Sequence, residues 1–230
     1  MRFRREEVSF VVVVASGTLA LLYAADAALD LGLANLMALH PTELLAALDG
    51  GPTDGRKGWA IATVWMSCLA HGGVTHLASN LVFFWLFGTL LQQLAGEKTL
   101  LLALLLTPAS AAAAYVLRHA DGGVGVIGAS GVISGVSGLY VLLSFRWDAP
   151  PVHAFPLARP VPPAQAAVAA LMAAGLDIYV LSEGGGDGVA RDAHIGGFAG
   201  GLVLGAILTS VYPTVEAFRR SWLGGSRSPA

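Results

Sequence analysis

The chain has 230 residues, 55% of them apolar and 12% charged, with a formal net charge of −2. A soluble domain carries about a quarter charged residues, so this composition excludes a water-soluble globular enzyme, and the near-neutral charge offers no footprint for nucleic acid. Cys68 is the single cysteine, which excludes an intrachain disulfide and a thiolate metal cluster.

Crossing the hydrocarbon core of a bilayer takes ~20 mostly apolar residues. Six segments qualify in chain order: 8–28, 74–94, 99–117, 124–145, 164–182 and 193–212. They predict an all-α polytopic membrane protein, a bundle of six transmembrane helices. The first segment is too long, and too poorly followed by a small-residue cleavage site, to be a removed signal peptide. The connection over 30–72 mixes apolar runs (31–39, 44–48) with Pro41, Gly50, Gly51, Pro52 and Gly55, which suits short helices lying in the membrane interface. Residues 149–163 form a proline-rich linker and 184–188 a glycine-rich one. With both termini on one side, that side receives Arg2, Arg4, Arg5, Lys98, Arg146, Arg159, Arg219, Arg220 and Arg227. The other side receives Arg56, Lys57, Arg118 and Arg191. The positive-inside rule then places both termini in the cytoplasm.

Three short islands interrupt the apolar runs. Polar groups at membrane depth cost free energy unless they are paired or face water, so each needs a reason. In Gly128-Ala129-Ser130-Gly131, glycines beside a serine permit close backbone approach to a substrate carbonyl. A helix beginning near Ser130 aims its free N–H groups at that carbonyl oxygen. Taken alone, Gly and Ser also serve helix packing; Ser134 and Ser137, without glycine brackets, read as packing residues. His194 shares a helical face with Gly197 and Gly201, and Gly131, Gly135 and Gly138 make a similar stripe on the serine segment. Two such faces allow close packing that brings imidazole to hydroxyl, a base suited to neutral pH beside a nucleophile. In the third island, His76 and Asn80 lie at i and i+4, so their side-chain N–H groups project together as candidate oxyanion donors. An interhelical hydrogen bond from Asn80 and a structural His76 is the alternative for that island by itself.

The ordered set His71-x4-His76-x3-Asn80, Phe87-Gly88, Gly128-Ala129-Ser130-Gly131 and Ala193-His194-x2-Gly197-x3-Gly201 resembles the rhomboid family of intramembrane serine proteases, over roughly residues 65–204. The resemblance implies one rhomboid-like membrane domain over 1–230, with a catalytic core at about 65–212 and short cytoplasmic tails at 1–7 and 213–230. It implies a Ser130–His194 dyad without an acidic third member, with His76 and Asn80 in the oxyanion hole. His71, Gly128, Gly131, Gly197 and Gly201 take structural places near the site. No metal or cofactor is implied. The substrates implied are membrane proteins cut in or next to a transmembrane helix, with the enzyme a multi-pass protein of the cytoplasmic (inner) membrane.

The chain departs from the family pattern at three places. Ala62-Thr63 stands where a Trp-Arg pair is common, leaving Arg56 and Lys57 as substitutes. Gln92 stands where an acidic residue is frequent, and Ser134 replaces an aromatic expected to stack on the catalytic histidine. The remaining polar residues take plain roles: Asp177 a structural partner late in the fifth span, Asp192 on the wrong face to serve His194, and His40, His119 and His153 loop positions. Two other functions compete. A non-catalytic rhomboid-like protein that binds membrane clients would share the fold. A metal-dependent membrane enzyme or transporter using His71, His76 and His194 lacks a His-Glu-x-x-His pattern or a suitably spaced carboxylate.

Overall fold

The computed structural model describes residues 9–50, 55–154, 157, 159–184 and 188–222. Ten α-helices occur among them: α1 (Phe10–Leu29), α2 (Leu33–Met37), α3 (Pro41–Leu48), α4 (Lys57–Met66), α5 (Val74–Ala95), α6 (Glu97–Arg118), α7 (Ser130–Arg146), α8 (Pro163–Ser182), α9 (Arg191–Val211) and α10 (Val215–Trp222). A 3-10 turn at Ser67–Leu69 links α4 to α5. The extended pairings among the described residues are two isolated bridges, Leu39 with Val126 and Val152 with Val161. The protein is all-α, as its composition predicts.

Five helices, α1, α5, α6, α8 and α9, are long and apolar enough to cross a membrane, and α7 is a shorter apolar helix of 17 residues. The predicted fourth span at 124–145 therefore loses its first turns. Its apolar opening is not helical because its backbone is bonded elsewhere: Val126 exchanges N–H···O bonds of 3.0 Å with Leu39, and the Gly128 N–H donates to the Ser67 carbonyl at 2.8 Å. The long connection after α1 does hold short helices, α2 to α4. The aliphatic surfaces of α1 and α8, including Leu21, Met172 and Leu176, stay uncovered by protein, which suits lipid and not water.

Of the expected tails, residues 1–7 and 223–230 lie outside the described residues, and Val215–Trp222 form helix α10. Helix α10 folds back on the bundle. Phe218 is fully buried against Trp147 and Tyr212, at ring-centroid distances of 4.9 and 5.4 Å. Arg219 donates to the carbonyls of Gln93 and Leu94 at the C-terminal end of α5, where a cation complements the helix dipole. At the same end of the bundle, Glu97 accepts from Ser9 Oγ and from the Phe10 N–H, bracing the start of α1. The first and last described helices thus begin and end together.

At the centre α7 packs on α9, the most extensive helix contact in the molecule. A Cβ at Gly197 would collide with the Gly131 carbonyl oxygen, one at Gly201 with that of Gly135, and one at Gly138 with that of Phe198. The glycine stripes are thus a backbone-to-backbone contact that only hydrogen side chains allow. Replacing Gly201 with valine is expected to cost about 3 kcal/mol, the upper end for overpacking, because a carbonyl cannot rotate away. Gly17→Ala, where a Cβ meets nothing within 4 Å, should be neutral or slightly stabilising through helix propensity. Thermal unfolding in detergent checks both: the midpoint falls for Gly201→Val and holds or rises for Gly17→Ala.

Candidate active site

Four helix ends meet on the side opposite α10: the first turns of α5, α7 and α9, and the last turns of α8. Ser130 is the first residue of α7, where the N–H groups have no partner within the helix. The loop that delivers it is fastened at three points. Tyr115 Oη donates to the Val124 carbonyl at 2.6 Å, Val126 pairs with Leu39, and Gly128 is tied to Ser67. Gly128 has φ +119°, and a Cβ there would sit 2.6 Å from His76 Nε2. Both conformation and space require glycine, since the histidine ring lies directly over this backbone.

Ser130 Oγ lies 2.7 Å from Nε2 of His194, across the α7–α9 contact. On the other edge of the imidazole, Nδ1 lies 3.0 Å from Asp177 Oδ2, and Asp177 Oδ1 accepts from Arg191 Nη1 at 2.7 Å. The carboxylate only accepts, so Nδ1 carries the proton, Nε2 presents its lone pair, and the serine hydroxyl donates to it. The side chains of His194, Asp177 and Arg191 are 17%, 13% and 14% exposed, so the ion pair stands largely apart from solvent. The two-residue arrangement that the resemblance implies thus acquires a third group. Asp177 and Arg191 are both visible in the sequence as charges at the edges of apolar runs, and an ionisable residue at such a position is a functional candidate by default.

His76, Asn80 and His71 form the opposing wall. Asn80 is buried and its Nδ2 donates to His71 Nε2 at 2.9 Å, while the His71 and His76 rings meet edge to face at 5.1 Å. One Asn80 N–H is committed to His71 and the second remains for another acceptor. A Cβ on Gly128 would lie 3.7 Å from that same Nδ2, so both side chains border the backbone just ahead of Ser130. His71 precedes α5, and burial, with the nearby His76 as a lesser cause, pushes it down to about 4. It is therefore neutral at physiological pH, as its role of acceptor requires. Burial pushes the Cys68 thiol up to about 11, so it is no competing nucleophile.

The other polar positions are accounted for separately. Asp192 is buried, accepting from His119 Nε2 at 2.8 Å and from the Ala193 N–H at 2.9 Å, and it holds His119 at the end of α6, not His194. Ser134 lies one turn beyond Ser130 without touching the imidazole; its carbonyl accepts from Ser137 Oγ. Gln92 Oε1 is enclosed without a hydrogen-bond partner among the described residues. Arg56 and Lys57 are exposed at the head of α4, and Trp59 and Trp65 donate to the carbonyls of Leu36 and Leu105. His40 caps α3, and the His153 carbonyl accepts from Gln93. A narrow cleft opens beside Ser130, bordered by Gly131, Val132, Pro108, Ala111 and Tyr115.

A family model described as a rhomboid domain matches residues 56–211, from the head of α4 to the end of α9. No curated protein matches the chain at a significant level.

The buried neutral His71 makes stability depend on pH. Its folded value lies below the ordinary 6.5, so the unfolded chain binds the proton more readily. Its contribution is complete above about pH 6.5 and is lost as pH falls towards 4, at up to about 1.4 kcal/mol per pH unit. Detergent-solubilised protein should unfold at progressively lower temperature over that window, and His71→Asn should flatten the slope; parallel slopes in the two proteins would contradict it.

Proposed function

The chain belongs to the rhomboid family, and from that premise we propose that it is a serine endopeptidase that hydrolyses peptide bonds in or beside transmembrane helices of other membrane proteins. The observation that carries this reading is the 2.7 Å contact between Ser130 Oγ and His194 Nε2 at the first turn of an apolar helix. Helix α7 has 17 residues, about 25 Å of rise, against ~30 Å of hydrocarbon. Its serine end therefore stops short of the surface if the other end reaches it, which suits cleavage inside the membrane.

In the proposed reaction, Ser130 Oγ attacks the scissile carbonyl carbon as its proton passes to His194 Nε2. The carbonyl oxygen becomes an oxyanion, met by the Ser130 backbone N–H and by the side chains of His76 and Asn80. Collapse of the intermediate breaks the C–N bond, and His194 returns the proton to the leaving amine. Water, losing its proton to His194, then attacks the acyl ester, and the serine regains its hydrogen. The substrate segment must unwind first, because a continuous helix hides its carbonyls in hydrogen bonds. No cofactor enters these steps, and the bilayer and a membrane-protein substrate are the partners.

A fluorophosphonate probe is expected to label the purified wild type and to leave Ser130→Ala and His194→Ala unlabelled. Substituting His76 or Asn80 by alanine should lower kcat on a transmembrane substrate by about 10²–10³ with little change in KM. A wild type that stays unlabelled in both detergent and liposomes, beside an active rhomboid that labels, would point to the client-binding alternative.

The proposed topology sets α10 and the α5–α6 turn in the cytoplasm of a multi-pass inner-membrane protein with six spans, α7 being the sixth. It rests on Lys98, Arg146, Arg219 and Arg220 lying at one end of the bundle, the sign expected of a cytoplasmic face. In a Cys68→Ala background, an impermeant maleimide should label Asp49→Cys on intact cells and Ser221→Cys only after permeabilisation. The reverse pattern would invert the assignment.

A further inference from the structure

The geometry points to Asp177 as a positioning residue for the general base: its carboxylate, steadied by Arg191, holds His194 in the tautomer and orientation that Ser130 requires. This rests on the protease reading of the same site.

A histidine that is to accept a proton at Nε2 must carry its resting proton on Nδ1 and must be kept from turning about its side-chain bonds. In this chain one contact serves both ends. Asp177 Oδ2 lies 3.0 Å from Nδ1, and an acceptor there selects the Nδ1–H tautomer. Nothing else among the described residues does so: no aromatic ring contacts His194, and the position one turn after the nucleophile is Ser134. The neighbouring carboxylate, Asp192, is spent on His119 and the Ala193 N–H. The hydrogen bond thus supplies the restraint on the ring that packing does not.

Arg191 explains how the carboxylate stays ionised there. An isolated charge among apolar helices would take up a proton, and a protonated Asp177 would no longer select the Nδ1–H tautomer. The guanidinium at 2.7 Å from Oδ1 holds it as the anion and leaves Oδ2 for the imidazole. A buried ion pair adds little stability over an apolar pair of the same shape, so packing alone gives no reason to keep both charges at this place. During attack the Ser130 proton moves to Nε2, and the imidazolium stands between the Asp177 carboxylate and the oxyanion. Asp177 keeps its charge throughout and takes no proton. The titratable and charged groups facing His194 are Asp177 from α8, His76 from α5 and Arg191 on α9 itself, while Asp192 on α9 is turned to His119.

The test compares wild type, Asp177→Asn, Asp177→Glu and Ser130→Ala by the rate of fluorophosphonate labelling, with ¹⁵N-histidine NMR of the wild type and Asp177→Asn. Asp177→Asn is expected to label about 100-fold more slowly. Its His194 signal should no longer be that of the Nδ1–H tautomer alone, because an amide in that place can donate as well as accept. Asp177→Glu should regain most of that rate, and the wild-type His194 signal should be that of the Nδ1–H tautomer. A purely structural role would scale the labelled fraction with folded protein and leave the tautomer of Asp177→Asn as in the wild type. That outcome overturns the inference, as does an Nε2–H tautomer in the wild type, which is readable even if Asp177→Asn does not fold. A wild type as inert as Ser130→Ala removes the protease reading and the inference together. A labelled wild type equalled by Asp177→Asn removes only the positioning role.

Discussion

The contact between glycines of α9 and carbonyl oxygens of α7 is the constraint from which the rest of the site follows. Lipid gives no hydrophobic driving force between helices, so close van der Waals contact must hold them together. Gly197 and Gly201 bring α9 against the carbonyls of Gly131 and Gly135, a distance at which weak Cα–H···O contacts add to the packing. His194 sits one turn before Gly197 on that seam, and Ser130 immediately before Gly131. The 2.7 Å separation of hydroxyl and imidazole is thus inherited from the backbone packing below it. Any side chain larger than hydrogen in the seam pushes the His194 imidazole away from the Ser130 hydroxyl.

The same economy governs the loop ahead of Ser130. Non-helical backbone is tolerated at membrane depth only where protein or water satisfies it. Tyr115, Leu39 and Ser67 meet the polar groups of Val124, Val126 and Gly128 from three different elements. That fastening ends the apolar segment early, so α7 starts at Ser130 and not at residue 124. A shorter helix and a serine at its first residue are two aspects of one fact.

Local pattern and nonlocal contact divide what could be read from the chain. The long helices, the two glycine seams and the grouping of Ser130 with His194 follow from periodicity and residue type, and their expected ends lie within a few residues of those observed. The start of α7 was not legible, since 124–127 is as apolar as the helix it precedes and the bonds that unwind it come from residues up to 87 positions away. From the sequence, the segment with Arg219 and Arg220 reads as a tail because it lies beyond the last apolar span. Their neighbour Phe218, whose burial between Trp147 and Tyr212 anchors the helix, is one aromatic in a polar stretch. The pairing of Asp177 with His194 escapes the sequence for a related reason: spacing relates residues along one helix, whereas His194 lies on the next, beyond a glycine-rich stretch of sequence.

Asp177, Arg191 and Ser134 make sense only when considered together. An imidazole with no ring packed on it needs another point of attachment, and a carboxylate supplies one with the right tautomer as well. A carboxylate in that place needs a cation to remain ionised, and Arg191, one turn ahead of His194 on the same helix, moves with the base that it serves indirectly. The arrangement therefore serves to hold a ring that no aromatic side chain packs against.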